Sequence, residues 1–397
     1  MDTNSLNQQA VTLHRQHQGK LGTVALIPVT SKEDLSLAYT PGVAEPCRVI
    51  QKNPEESFAL TSRGRTVAVI SDGSAVLGLG NIGAEAAMPV MEGKALLMKT
   101  FAGIDAVPLV INTQEPEEII RFVKAVAPSF VGINLEDIAA PNCFQVEEAL
   151  QDIGIAVFHD DQHGTAIVVT AALQNAAKVV GKKFEDLSVV VVGAGSAGIA
   201  ISRMLLGIEC MTEGCSLVDG ACSVKDVILV DSQGAISKYR SGMNVYKQVM
   251  AGFSNKEGKT GDLAAVIGGA DVVIGVSRPN TITAEMVKSM AKDAIVFALA
   301  NPDSEILPEV ARAAGASVVA TGRSDYPNQI NNVLAFPGVF KAVVDGRLPR
   351  ITTVMKQAAA KKLAQLVENP TADQVLPMPF SPGIAEAVSQ AILAVAD

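Results

Sequence analysis

Tryptophan is absent from this 397-residue chain, tyrosine occurs four times and aromatic residues of all kinds make up 4 %. Positive charge is also in deficit. Lys and Arg total 32 against 41 Asp and Glu, a formal charge of −9, which argues against a nucleic-acid or anionic-membrane partner. No uncharged apolar run reaches the ~20 residues that a membrane span needs. The first 20 residues are polar and contain no apolar core of a signal peptide. The cytoplasm is the expected location. Cysteine is scarce and odd in number, at five, so reduced thiols are expected. Cys210, Cys215 and Cys222 lie close together, but without C-x-x-C pairing or a nearby histidine they do not resemble a zinc site. Internal repeats and low-complexity linkers are lacking too.

What is present points to a soluble α/β protein of two or three domains: 48 % hydrophobic residues, with 33 glycines. The informative stretch is Ile155–Gly164. A short apolar run, Ile155-Ala156-Val157-Phe158, reads as a buried strand that ends in Asp160 and Asp161. A helical run from Thr165 to Val180 follows. Upstream lies a twin, Phe130 to Leu135, ending in Glu136 and Asp137, and residues from Asn142 to Asp152 between the two have helical spacing. A strand, a helix and a strand imply parallel strands, neighbours if the crossover is local. Their carboxyl ends would gather up to four carboxylates at the ligand-binding edge of an open sheet. Acids so close repel one another unless a cation sits among them, and hard oxygen ligands suit Mg²⁺ or Mn²⁺. The alternative is that the acids are helix caps and solvated loop ends.

Other positions carry chemistry as well. Tyr39 precedes a Thr40-Pro41-Gly42 turn and is either a fixed phenol or a packing tyrosine. Lys94 sits in the apolar helix Met91–Met98, either as a base with a lowered pKa or as a lysine that snorkels to the surface. Between strands at Thr66–Ile70 and Ala106–Ile111, the run from Asp72 to Gly83 is rich in glycine, so backbone there packs closely on a helix or a ligand. The strand Leu187–Val192 runs into Gly193-Ala194-Gly195-Ser196-Ala197-Gly198 and then an apolar helix from Ile199 to Leu206. This G-x-G-x-x-G, in its strand–turn–helix context, predicts a dinucleotide whose pyrophosphate lies on the helix N-terminus. Asp231 ends the next strand, where it would hold the ribose hydroxyls. It lies beyond the usual spacing because Gly207–Lys225 reads as an inserted surface loop. Ser232 and Gln233 bring no cation next to it, and Lys238 and Arg240 reach it only if their loop folds back. This favours NAD⁺, with NADP⁺ as the alternative. Strands at Asp271–Val276, Ala294–Leu299 and Ala316–Ala320 complete the domain, and helices at Thr352–Val367 and Gly383–Ala396 close the chain. His159 and His163 mimic H-E-x-x-H of zinc proteases, but the first follows a β run and Gly164 follows the second, against a shared helical face.

Seven ordered motifs now carry a family resemblance: YTPGVAEPC (39–47), DGSAVLGLGNIG (72–83), MEGKALL (91–97), NLEDIAAPNCF (134–144), FHDDQHGTA (158–166), ANP (300–302) and NNVLAFPG (331–338). Together they resemble malic enzyme in its short bacterial form, without a phosphotransacetylase-like C-terminal domain. The resemblance implies oxidative decarboxylation of L-malate to pyruvate and CO₂ with reduction of NAD(P)⁺. It implies Glu136, Asp137 and Asp161 as ligands of Mg²⁺ or Mn²⁺, Lys94 as the base on the C2 hydroxyl, supported by Asp160, and Tyr39 as the acid at C3. Asn301 is implied as a cofactor contact and Asn332 as a substrate contact. Ala75 stands where larger members carry a carboxylate-binding arginine, which leaves Arg323 or the backbone after Gly73 for that task. The implied fold is an N-terminal α/β substrate- and metal-binding domain, residues 1–160, and a Rossmann-type domain, 161–331, with residues 332–397 packing back on the first. A homodimer or larger homo-oligomer is implied, with N-terminal segments exchanged so that Tyr39 or Lys94 acts on the neighbour's site. Two rivals stand beside this. A malolactic enzyme would release lactate without net redox change. A non-catalytic NAD-sensing module would need the glycine turn but not the acids, Lys94 or Tyr39.

Overall fold

The computed structural model describes residues 3–76, 78–211 and 214–396. The chain opens with α1 (Thr3–His17), α2 (Lys32–Ala38) and α3 (Ala44–Lys52). α2 and α3 bury no residue, and α1 buries none among residues 5–17. A short α4 (Ser57–Leu60) leads to the first sheet.

That sheet holds β1 (Thr66–Ser71), β2 (Asp105–Val110), β3 (Gly132–Leu135) and β4 (Ala156–His159). Its order is β2-β1-β3-β4 and every pairing is parallel. The crossovers contain α5 (Ala84–Ala102), α6 (Pro116–Val126) and α7 (Asn142–Glu148). Valine and isoleucine fill β1, all six of whose residues are buried, as expected of a parallel strand covered on both faces.

α8 (Asp160–Val179) leads from the first sheet to the second. It begins five residues before its apolar run, because Asp160 and Asp161 in the first turn suit the positive end of the helix dipole. Next come β5 (Ser188–Val192), α9 (Ser196–Leu206), β6 (Ile208–Met211) and β7 (Gly214–Leu217). The expected surface loop is therefore partly a β-hairpin. Cys210 faces Cys215 across it and the two form a disulfide, contrary to the expectation of reduced thiols, because antiparallel pairing brings their Cα atoms to 4.0 Å. β8 (Asp226–Asp231) and β9 (Gly234–Ala235) are antiparallel neighbours, and α10 (Val245–Phe253) and α11 (Leu263–Ile267) follow. Then come β10 (Val272–Gly275), α12 (Ala284–Ser289), β11 (Ala294–Ala298), α13 (Pro308–Ala313) and β12 (Ala316–Thr321). The second sheet runs β12-β11-β10-β5-β8-β9, parallel apart from β9. This is a Rossmann-type arrangement beside a smaller parallel α/β unit.

α14 (Phe336–Gly346), α15 (Thr353–Gln365) and α16 (Ile384–Leu393) end the chain. α14 packs on α5 and β3, and α15 packs on α8. Phe340 of α14 meets Phe158 of β4 edge-on, with ring centroids 5.8 Å apart. No described helix is long and apolar enough to cross a membrane.

Candidate active site

β3 and β4 are parallel neighbours with Leu135 opposite His159, so the residues that follow each strand emerge at one edge. Glu136, Asp137 and Asp161 each place a carboxylate oxygen within 4.8 Å of the other two. Three contacts shape the group. Asn134 Nδ2 donates to Glu136 Oε2 at 2.8 Å, the Asp137 backbone N–H donates to Asp161 Oδ2 at 2.8 Å, and Asp137 takes a left-handed φ of 56°. Asp137 Oδ2 is buried without a hydrogen-bond partner, as a vacant ligand oxygen would be.

Asp160 turns instead toward Lys94. The Lys94 ammonium lies 2.6 Å from Asp160 Oδ2 and 2.8 Å from Glu136 Oε1. Asn332 Nδ2 donates to the same Asp160 oxygen, and Lys94 Nζ sits 4.4 Å from the Phe336 ring centroid. Gly164 makes room for this cluster: a Cβ there would lie 1.8 Å from Asp160 Oδ1. Glu147 of α7 holds the first turn of α8 from another side, accepting from Gln162 Nε2 at 3.0 Å and pairing with His163 Nε2 at 2.7 Å. His163 is thus occupied structurally, and His159 is fully buried at the head of α8.

Burial governs the electrostatics. It raises Asp137, Glu136 and Asp161; the Asp161 charge adds to the rise of Asp137 and Glu136, the Asp160 charge adds to that of Asp161, and Lys94 opposes all three. Asp160 is pushed up to about 7, again chiefly by burial, with Lys94 opposing. Lys94 differs from the expectation of a lowered pKa. Burial does oppose its charge, but Asp160, Glu136 and Asp161 outweigh burial and hold it above the ordinary lysine value. Its partners are acids that the sequence places 42 or more residues away, not the apolar neighbours in its own helix.

Both sheet edges open into one cleft of about 660 Å³. On one wall lie Ser74–Val76, Asp137, Asp161 and Thr165, and on the other Ser196 and Ala197 at the start of α9. Ser277, Leu299–Asn301, Asn331 and Asn332 complete it. Gly193, with φ 114°, Ala194 and Gly195 form the turn leading into α9, and Gly198 lies in the helix's first turn, where a Cβ would lie 1.8 Å from the Gly193 carbonyl. Asn301 Nδ2 reaches the Gly322 carbonyl at 3.4 Å. Ser74, Thr165, Ser277 and Asn331 are cleft residues that the sequence reading missed. Ser74, Thr165 and Asn331 lie in the DGSAVLGLGNIG, FHDDQHGTA and NNVLAFPG motifs, whereas Ser277 lies in none of those quoted.

Three expectations meet a different geometry. Asp231 is not free of cations: the loop folds back, so Arg240 NH1 lies 2.8 Å from Oδ1 and Lys247 Nζ 2.6 Å from Oδ2. Burial works against its charge, yet these partners hold it down at about 2. Lys238 instead lies near the Tyr239 ring. Arg323 does not reach the cleft but forks onto Asp325, with Nε and NH2 donating at 2.9 and 2.7 Å. Tyr39 is 67 % exposed and does not line the cleft of its own chain.

A parallel sheet carrying the acid–lysine cluster, facing a glycine turn on a Rossmann-type sheet, defines an α/β oxidoreductase architecture. Family models agree in detail: the malic enzyme N-terminal domain matches residues 18–151 and the malic enzyme NAD binding domain matches 162–396. The chain belongs to the malic enzyme family. It is 52 % identical over 392 residues to the bifunctional malic/malolactic enzyme of Bacillus subtilis, covering 98 % of this chain and 92 % of the relative. It is 50 % identical to the NAD-dependent malic enzyme of Geobacillus stearothermophilus, covering 94 % and 76 %. The crystal structure of the Thermotoga maritima NAD-dependent malic enzyme superposes with a TM-score of 0.90 at 46 % identity, over 97 % of this chain and 98 % of that one.

Proposed function

We propose that the protein oxidatively decarboxylates L-malate to pyruvate and CO₂ with NAD⁺ as cofactor, in the presence of Mg²⁺ or Mn²⁺. The observation that carries this reading is Lys94 held between Glu136 and Asp160 beside a cleft that also takes in the start of α9. Glu136, Asp137 and Asp161 fit a hard divalent cation: all their donors are carboxylate oxygens, and one is buried without a partner. When bound, the nicotinamide supplies a hydride acceptor and the cation a Lewis acid for the keto and carboxylate oxygens. Lys94, kept as an ammonium by its acids, gives a proton to Asp160 Oδ2, and the amine so freed takes the proton of the C2 hydroxyl. Asp160, 2.6 Å away and pushed up to about 7 by burial, accepts the surplus proton of the pair. Asn332 fixes Asp160 and faces the substrate, while Asn301 lies at the nicotinamide end. The backbone from Ser74 to Val76 replaces the missing arginine as the carboxylate contact. Tyr39 returns a proton to C3.

Tyr39 reaches the site from a second copy of the chain. The N-terminal arm supports this: it exposes Val24, Leu26, Ile27, Val29, Leu35 and Leu37, an apolar row suited to a homodimer interface. Residues 1–160 form the substrate domain and 161–331 the dinucleotide domain, with 332–397 returning to the first. The cytoplasm is the proposed location.

Formation of reduced nicotinamide and pyruvate from L-malate, Mn²⁺ and NAD⁺ tests the reading. Lactate without reduced nicotinamide would establish the malolactic alternative, one of the two activities in the name of the B. subtilis bifunctional malic/malolactic enzyme.

A further inference from the structure

We infer that Glu305 is a positioning residue that builds the nicotinamide end of the cleft by fastening the loops after β10 and β11 to each other. The inference rests on the dinucleotide reading above. Glu305 is fully buried, yet it takes no part in the acid–lysine cluster. Its Oε1 accepts the Ser277 backbone N–H at 2.7 Å and its Oε2 accepts the Ala300 backbone N–H at 3.0 Å. β10 and β11 are parallel neighbours, with Gly275 opposite Ala298. Ser277 and Ala300 thus each lie two residues beyond a strand end, where a parallel ladder no longer supplies partners. One carboxylate replaces the missing ladder. Both donors belong to residues that line the cleft.

The surroundings are built around this carboxylate. A Cβ at Gly275 would lie 2.5 Å from Glu305 Cδ, so the strand end must be glycine for the side chain to lie across it. The backbone of Glu305 is pinned too, its carbonyl accepting from the Ile282 N–H at 3.1 Å. The loop it holds also supports the glycine turn: the Val276 carbonyl packs so close to Gly193 that a Cβ there would lie 2.5 Å away.

Glu305→Gln tests this, because glutamine keeps the size but offers one acceptor oxygen where two N–H groups need one each. Binding of NAD⁺ and of ADP to the full chain is measured by calorimetry, since ADP shares the adenosine and pyrophosphate but lacks the nicotinamide riboside. NAD⁺ should weaken about tenfold or more, the size of one lost hydrogen bond to a charged group, with ADP changed less than about twofold. The KM for NAD⁺ should rise, while Mn²⁺-dependent decarboxylation of oxaloacetate without nucleotide stays at the unaltered rate. Gly275→Ala, which pushes on the same carboxylate, should give the same selective loss. Unaltered NAD⁺ binding in Glu305→Gln would overturn the inference alone. Equal weakening of NAD⁺ and ADP, or unfolding of both variants, would also overturn it by making Glu305 a general structural group. No NAD⁺ binding by the unaltered chain would overturn the dinucleotide reading and this inference with it.

Discussion

Gly164→Ala sets opposing effects against one another at the centre of the site. Alanine in a helix interior is favoured over glycine by about 1 kcal/mol, so on propensity alone the variant should be more stable. The added methyl, however, would sit 1.8 Å from Asp160 Oδ1 and 2.8 Å from Asp160 Cγ. Restoring ordinary contact requires a displacement of about 1.5 Å. Asp160 is fully buried and tied to Lys94 and Asn332, so it has no free direction in which to yield. Overpacking of a core typically costs ~1–3 kcal/mol, and a lost hydrogen bond to a charged group ~1.5–3 kcal/mol. Set against the helix gain, the variant should lose roughly 2–5 kcal/mol of stability. Activity should fall by about a hundredfold or more, because a catalytic group displaced by about an ångström loses its alignment. Denaturant unfolding and the malate-dependent rate of nicotinamide reduction measure the two effects. A variant as active as the unaltered protein and at least as stable would refute the packing of Asp160 against this helix turn.

Asp137→Ala should abolish turnover while leaving the circular dichroism spectrum intact, and EDTA should silence the unaltered protein; near-normal rates in metal-free buffer would sink the cation site. Lys94→Ala should lose malate oxidation but keep some decarboxylation of added oxaloacetate, so parallel loss of both would remove Lys94 from the role of base. Tyr39→Phe should slow the overall reaction at enolate protonation. Mixing the slowed Tyr39→Phe and inactive Lys94→Ala chains should raise activity above that of either, since only a shared site assembles both intact groups; no gain after subunit exchange would place Tyr39 and Lys94 in one chain's site. Lys247→Ala should weaken NADP⁺ far more than NAD⁺, as it removes one of two cations beside Asp231. Equal effects on kcat/KM for the two cofactors would mean that Lys247 does not face the 2′ position.

The parts of the site that were legible in the sequence depend on local pattern. Two short apolar runs, each followed by two acids and separated by one helix, allow few arrangements, and β3 and β4 are indeed parallel neighbours. The glycine turn before α9 is equally local. What escaped depends on contacts between distant residues. Lys94 sits among apolar neighbours in its helix, so its partnership with Asp160, 66 residues on, came from the family resemblance and not from any local pattern. Lys247 lies 16 residues from Asp231, with a turn and the start of α10 between them, so no spacing rule assigns the pair. Glu305 carried no signal because its partners are backbone N–H groups of two loops, which every sequence supplies. The start of α8 was obscured for a different reason: Asp160–Gly164 lacks an apolar helical pattern, because its side chains turn to Lys94, Asp137 and Glu147.

That tolerance bears on why the acids are grouped at all. Two like charges 4.8 Å apart repel by roughly 3 kcal/mol at an effective dielectric near 20, so the cluster opposes folding when all its members are ionised. Lys94 offsets part of this, but it touches Glu136 and Asp160 and leaves the repulsion between Asp137 and Asp161 standing. Protonation relieves the remainder, and the raised carboxyl pKa values reflect burial first and this repulsion second. A divalent cation relieves it too, and without using up the acceptor oxygens. Ions that bind only the folded chain therefore add to its stability by mass action. On the proposed reading, the cluster that costs stability in the free protein is the feature that makes ion binding favourable, since adjoining strand ends bring all three carboxylates within reach of one ion.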